Sequence, residues 1–254
     1  MSLFFTALLF CIISGTLLCL ILYSPVPVLL ASLAKPEIHF AIWLSLVTSV
    51  ISTVICILIA VPVAYALARY TFPGKRIATL VLTLPLTLPP LVAGIALLLF
   101  FGSTPWGKAL ENFGFAVIFT PLGIVVAQVF VNLPYMIRIM RSSFAAINPR
   151  YEHVARTLGC TDTGTFLQVS LPMARHGIIA GTVITWSKAM GEFGAVLMLA
   201  GATMMRTETL PIALYLNIST GDVDLAVAAA TILIVISLFA LCVVEYLDRD
   251  AHVF

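Results

Sequence analysis

N-P-R-Y-E-H-V-A-R-T-L-G-C-T-D-T-G-T-F-L-Q-V-S-L-P, residues Asn148 to Pro172, is a polar island between two strongly apolar segments. Its first half reads as a short helix. Asn148 can cap it through the side-chain oxygen, Pro149 suits the first helical position because its missing N–H is not needed there, and Gly159 can take the left-handed conformation that ends it. Tyr151, Val154, Ala155 and Leu158 fall at i, i+3, i+4 and i+7, so one face is apolar, while Glu152, His153 and Arg156 occupy the other. Glu152 precedes Arg156 by four residues, the favourable order for a helix-surface pair. An amphipathic helix this short has to lean on something, so the island looks like a docking helix.

Outside the island the chain is strongly apolar. Of 254 residues 61% are hydrophobic and only 9% charged, and the mean hydropathy of +1.14 lies outside the range of soluble domains. Spanning the hydrocarbon as helix takes about 20 mostly apolar residues. Six runs qualify, approximately 4–23, 41–68, 77–101, 115–137, 177–200 and 225–247. They predict an all-α integral membrane protein whose residues 1–254 form one transmembrane domain. The net charge of +2 says nothing about nucleic acid, because the basic residues are spread over short loops rather than gathered into a patch; membrane lipid and no nucleic acid are expected as surroundings. Cys11, Cys19, Cys56, Cys160 and Cys242 show no C-x-x-C spacing, so neither a disulfide framework nor a metal site is indicated.

The first run is too long for a secretory signal, has no Lys or Arg before it and lacks an Ala-x-Ala cleavage site. A Pro-containing loop, 24–40, precedes the second run, which exceeds what the hydrocarbon requires and should tilt or extend beyond it. The third run holds L-P-L-T-L-P-P-L-V-A-G, with Pro85, Pro89, Pro90 and Gly94 near its middle. Each proline deletes a backbone donor and crowds the preceding turn, so this helix is kinked or broken. The bend either shapes the bundle or, because irregular backbone at membrane depth is tolerated where it lines a cavity, makes Pro89 and Pro90 a gate or path wall. G-S-T-P-W-G-K-A at 102–109 nearly spells a phosphate-binding loop. It fails because Ala109 replaces the Ser or Thr needed for magnesium and no strand precedes it. Lys and Arg counts orient the chain. Arg69, Lys75, Arg76, Arg138, Arg141, Arg150, Arg156, Arg175 and Arg249 share one side, against Lys35, Lys108 and Arg206 on the other. Both termini and the 148–172 segment are therefore expected in the cytoplasm.

Lys188 and Glu192 lie four apart in W-S-K-A-M-G-E-F-G-A, midway through the fifth run. Ionisable groups at that depth are costly; they serve as an ion pair fixing helix packing or face a water-filled path. Gly177, Gly181, Gly191 and Gly194 suit close helix contact, and Gln128 and Asn132 suit interhelical hydrogen bonds. Glu245 is near enough to the interface to be solvated. His153 and His176 lack ligand-spaced companions. With no Ser/His/Asp or Cys/His arrangement, the chain is not expected to be an enzyme.

E-H-V-A-R-T-L-G, followed after nine residues by V-S-L-P, resembles the coupling signature of ABC importer permeases, described as E-A-A, three residues, G, nine residues, I-x-L-P. Aligned on Gly159, the signature Glu falls on His153 and its two Ala on Val154 and Ala155, while Glu152 supplies an acid one place earlier. L-P-L-T-L-P-P-L-V-A-G, F-V-N-L-P-Y-M-I-R, M-G-E-F-G-A and R-T-E-T-L-P-I-A-L-Y are similar to segments of molybdate and tungstate permeases and, more loosely, of sulfate permeases. Lys188 stands where an Arg is expected there.

The resemblance implies a type I (MetI-like) importer permease in the cell membrane, with Glu152, His153, Val154, Ala155, Arg156 and Gly159 at the ATPase contact. It further implies a homodimer, two ATP-binding cassette subunits carrying the ATP and Mg, an extracytoplasmic oxyanion-binding protein, and no cofactor on this chain. Pro89, Pro90, Lys188 and Glu192 are its candidate path or gate residues. The alternatives are a sulfate or thiosulfate permease and, in another class, a secondary carrier using Lys188 and Glu192 as an ion relay. A carrier would not need the docking helix.

Overall fold

The computed structural model describes residues 2–23 and 25–251. Side chains are described for 3–23 and 25–246, which leaves the cation of Arg249 outside. Among the described residues there is no strand. The helices are α1 (Ser2–Tyr23), α2 (Val26–Leu33), α3 (Pro36–Arg69), α4 (Lys75–Thr83), α5 (Pro90–Ser103), α6 (Pro105–Asn112), α7 (Pro121–Ala146), α8 (Arg150–Thr157), α9 (Asp162–Thr165), α10 (Leu171–Met173), α11 (Arg175–Met190), α12 (Gly194–Ala200), α13 (Leu210–Thr220) and α14 (Val223–Ala251). A π-helical turn, Phe166–Ser170, joins α9 to α10. Among the described residues four helices are long and apolar enough to cross a membrane, or up to six spans if each of two bent pairs counts as one.

The bent pairs divide two of the six runs, the first at the prolines that its sequence marked for a kink or break and the second, read as one helix, without such a signal. In 77–101, three prolines within six residues remove successive ladder donors, and a proline pushes the residue before it out of the α region. Pro89 is accordingly extended, with φ −55 and ψ 135, and Pro90 opens α5 as its first residue. The pair α4 with its following turn, Lys75–Leu86, meets α5 at 110°. Single prolines do not have this effect, since Pro62 and Pro134 lie inside the continuous α3 and α7. The run 177–200 also divides, α11 meeting α12 at 57° across Gly191–Phe193.

Three other boundaries move. The 24–40 loop contains α2 and the start of α3. The fourth span starts at Pro121 rather than 115, because Thr120 caps it by accepting from the Gly123 N–H, and it continues to Ala146. At 34 residues, or about 51 Å at 1.5 Å per residue, α3 exceeds a bilayer's hydrocarbon thickness, as its sequence suggested.

The α3 and α7 helices form the most extensive pairing and define the core. Cys56, Ala60, Ala64 and Tyr65 of α3 pack with Met136, Ile137, Met140 and Phe144 of α7 at one end. At the other, Ile124, Ala127 and Val131 of α7 pack with Ala195, Val196 and Leu199 of α12. Buried Ser45, Thr48, Ser49, Ser52 and Thr53 add a polar seam on α3. Gln128 is an interhelical partner, its Nε2 donating to the Ala189 carbonyl of α11 at 2.9 Å. Asn132 differs from expectation: its Nδ2 donates to the Gln128 carbonyl of its own helix.

Candidate functional site

Asn148 Oδ1 accepts from the Arg150 N–H at 3.0 Å at the start of α8, and Gly159, at φ +93, turns the chain away at its end. Both terminators therefore act as their residue types suggested, although α8 itself begins at Arg150, leaving Pro149 just outside. The orientation is the reverse of what an isolated chain would favour. Tyr151, Val154 and Leu158 are 56%, 55% and 81% exposed, whereas Glu152 is 4% exposed and shares the inner face with Ala155.

The expected Glu152–Arg156 pair is not formed. Arg69, at the end of α3, donates through Nε to Glu152 Oε1 at 2.8 Å and through Nη2 to the Ile147 carbonyl at 3.0 Å. Ser170 Oγ donates to the same carboxylate oxygen at 2.8 Å. A buried carboxylate requires a fixed cation and further hydrogen bonds, which the planar guanidinium and the hydroxyl supply. Arg156 instead pairs with Asp162 at 3.0 Å on the exposed side. The π turn brings Ser170 to Glu152 and sets the Phe166 ring centre 4.7 Å from that of Tyr65, so α8 is tied through Glu152 to both the π turn and the end of α3. What remains outward is an apolar strip edged by His153 and Arg156, a shape suited to a protein groove.

The second candidate region unites residues that lie about a hundred positions apart. The α5 and α12 helices pack closely. A Cβ on Gly94 would lie 2.9 Å from the Ala195 Cα, and one on Gly194 would lie 2.9 Å from the Pro90 Cβ. Pro89–Pro90 and Glu192–Gly194, the two breaks, thus rest against each other, and any side chain at either glycine would separate them.

Lys188 and Glu192 do not form the i, i+4 pair, because α11 ends at Met190. Buried Glu192 turns to cap α12, its Oε1 accepting from the Ala195 N–H at 3.2 Å. Lys188 lies with Nζ 4.1 Å from the centre of the Tyr135 ring of α7, a cation–π contact. That contact engages one side of the ammonium, and its donors can address an anion. Gly191, between the two, is exposed.

Arg69, Ser170 and Tyr135 were not singled out from sequence as site residues. Arg69 had counted only as a topology marker, and Ser170 occupies the unspecified position of V-S-L-P.

The family described as "Binding-protein-dependent transport system inner membrane component" matches residues 57–253. The molybdenum transport system permease protein ModB of Mycobacterium bovis is 38% identical over 210 residues, 82% of this chain and 78% of that protein. The sulfate transport system permease protein CysW of Synechocystis is 34% identical over 214 residues, 84% of this chain and 78% of that protein. In solved structures, a bacterial alginate ABC transporter in complex with an alginate pentasaccharide-bound periplasmic protein has a chain with the same fold. It superposes with a TM-score of 0.75 at 15% identity, covering 98% of this chain and 92% of that one. A chain of the MetNI methionine ABC transporter in inward-facing conformations gives 0.64 at 16%, covering 83% and 94%.

Proposed function

The chain belongs to the binding-protein-dependent transport system inner membrane component family, and from that premise we propose that it is the permease subunit of an importer for a doubly charged tetrahedral oxyanion. Molybdate or tungstate is the leading substrate pair, with sulfate or thiosulfate the alternative; relatives named for molybdenum and for sulfate transport support the oxyanion class equally. The observation that carries the reading is α8, a helix that turns its apolar side chains out and anchors itself through a buried ion pair.

In this reading α8 lies on the cytoplasmic side, as do both termini, and its outward strip rests on an ATP-binding cassette subunit that holds the ATP and Mg. Two copies of the chain would enclose the path, and two ATPases would close beneath them. Arg69 carries motion of α8 into α3, which packs on α7, and α7 in turn touches α11 and α12 where the breaks meet. Coupled rotation about the paired breaks would expose the path alternately to each side. Lys188 would give the anion a weak stop, weak because the ammonium is shared with Tyr135 and a tight site would not release its load. An extracytoplasmic binding protein would select the oxyanion.

The test is purification with the neighbouring subunits followed by reconstitution, with molybdate and sulfate offered separately through the cognate binding protein. Retention of one oxyanion by that protein and its ATP-dependent uptake would assign the substrate. Uptake driven by a proton gradient, with no ATPase present, would favour the secondary carrier.

A further inference from the structure

Where α3 and α11 diverge beside the π turn, they leave a groove of about 610 Å³. Its walls are almost wholly hydrocarbon: Ile57, Leu58 and Val61 of α3, Phe166 of the π turn, and Ile179 of α11. Arg175, the first residue of α11, also lines it, at the start of that helix. Leu58 is 69% and Ile179 44% exposed, so the groove opens sideways from two membrane spans rather than toward the core.

We propose that this groove binds an anionic phospholipid, with an acyl chain along Leu58 and Ile179 and the phosphate on Arg175. Three observations favour that occupant. The lining is almost wholly apolar and includes one basic residue, Arg175, which complements an apolar tail with an anionic head. Among the described residues Arg175 makes no ion pair; its Nε donates to the neighbouring His176 Nε2 at 3.3 Å. On the orientation proposed above, Arg175 lies at the cytoplasmic surface, where the leaflet's negative potential attracts basic residues. Phe166 also ties the groove to the docking helix, since Ser170 of the same turn holds Glu152. A bound lipid would therefore buttress the seat of α8.

The full chain, reconstituted in vesicles of equal parts phosphatidylcholine and phosphatidylglycerol and then re-extracted, tests this by the lipid it retains. Wild type should be enriched in phosphatidylglycerol relative to the bulk. Arg175→Gln should lower that enrichment about fivefold, the effect of one basic residue at an anionic surface, whereas Arg175→Lys should keep most of it. Ile179→Trp, which fills the groove, should reduce retained lipid of both kinds, and unchanged thermal unfolding would show that each variant is folded. The proposal is overturned if Arg175→Gln retains phosphatidylglycerol like wild type or if soluble glycerol phosphate displaces the lipid. Efficient disulfide formation between two copies of Leu58→Cys would overturn it too, by placing a second copy in the groove. None of these readouts involves the ATPase or uptake, so failure here leaves the importer reading intact.

Discussion

Arg69 and Glu152, 83 residues apart, meet at 2.8 Å with side chains 10% and 5% exposed, and this ion pair joins the longest helix of the chain to its docking helix. Removing one partner leaves a buried charge uncompensated, which typically costs 3–5 kcal/mol. Arg69→Ala and Glu152→Ala should each loosen α8 by an amount of that order. Hydrogen exchange of the 150–157 amides would report it, and uptake should fall in parallel. Arg69→Met combined with Glu152→Leu should restore much of the protection, because an apolar pair of similar volume removes the unpaired charge.

The outward strip should behave differently. Val154→Asp or Leu158→Asp alters a side chain that touches little of its own chain, since both are more than half exposed. Thermal unfolding should stay within about 0.5 kcal/mol of wild type, the usual range for surface substitutions, while co-purification with the ATPase and uptake are lost. Gly159→Pro should also abolish uptake, because proline cannot adopt φ +93.

At the paired breaks, Gly194→Val places methyl groups where the Pro90 Cβ and the Leu91 nitrogen already lie within about 3 Å of the first added carbon. Overpacking of this kind costs roughly 1–3 kcal/mol. A lowered melting temperature, with Gly191→Ala nearly unaffected because its surroundings are open, would bear that out.

Glu192 separates two functional classes. As a cap for α12 it needs only an acceptor oxygen, so Glu192→Gln should retain most uptake and Glu192→Leu should lose it. An ion relay would require the titrating carboxylate, and Glu192→Gln would then be inactive. Lys188→Met should reduce uptake at least tenfold, about 1.4 kcal/mol in barrier, while Lys188→Arg should preserve it, since either cation can sit over Tyr135.

Much of this was legible in the sequence, and the remainder was hidden for physical reasons. Proline clusters and runs of apolar residues act locally, so the break at Pro89–Pro90 and the islands between spans could be read directly. Gly159 likewise ends α8 by a property of its own backbone. Apolar periodicity gave the faces of α8 but not which face turns inward, because the usual inference assumes that the apolar side packs on its own chain. Here a buried ion pair takes that place, and its cation comes from a helix 83 positions earlier. The Gly191–Phe193 break has no proline, and its glycines serve close packing equally well, so Lys188 and Glu192 looked like neighbours on one helix face. Their separation follows from the chain turning between them, with Glu192 satisfying the N–H of Ala195.

The account rests on α8 being the point at which ATP hydrolysis enters the membrane subunit. Molybdate uptake into vesicles containing the permease, its ATPase and its binding protein, compared between wild type and Val154→Asp, measures this most directly. The account predicts ATP-dependent uptake in wild type and none in Val154→Asp, with the variant still folded in the membrane. Equal ATP-driven uptake by the two, or wild-type uptake that persists without the ATPase and follows a proton gradient, would contradict it.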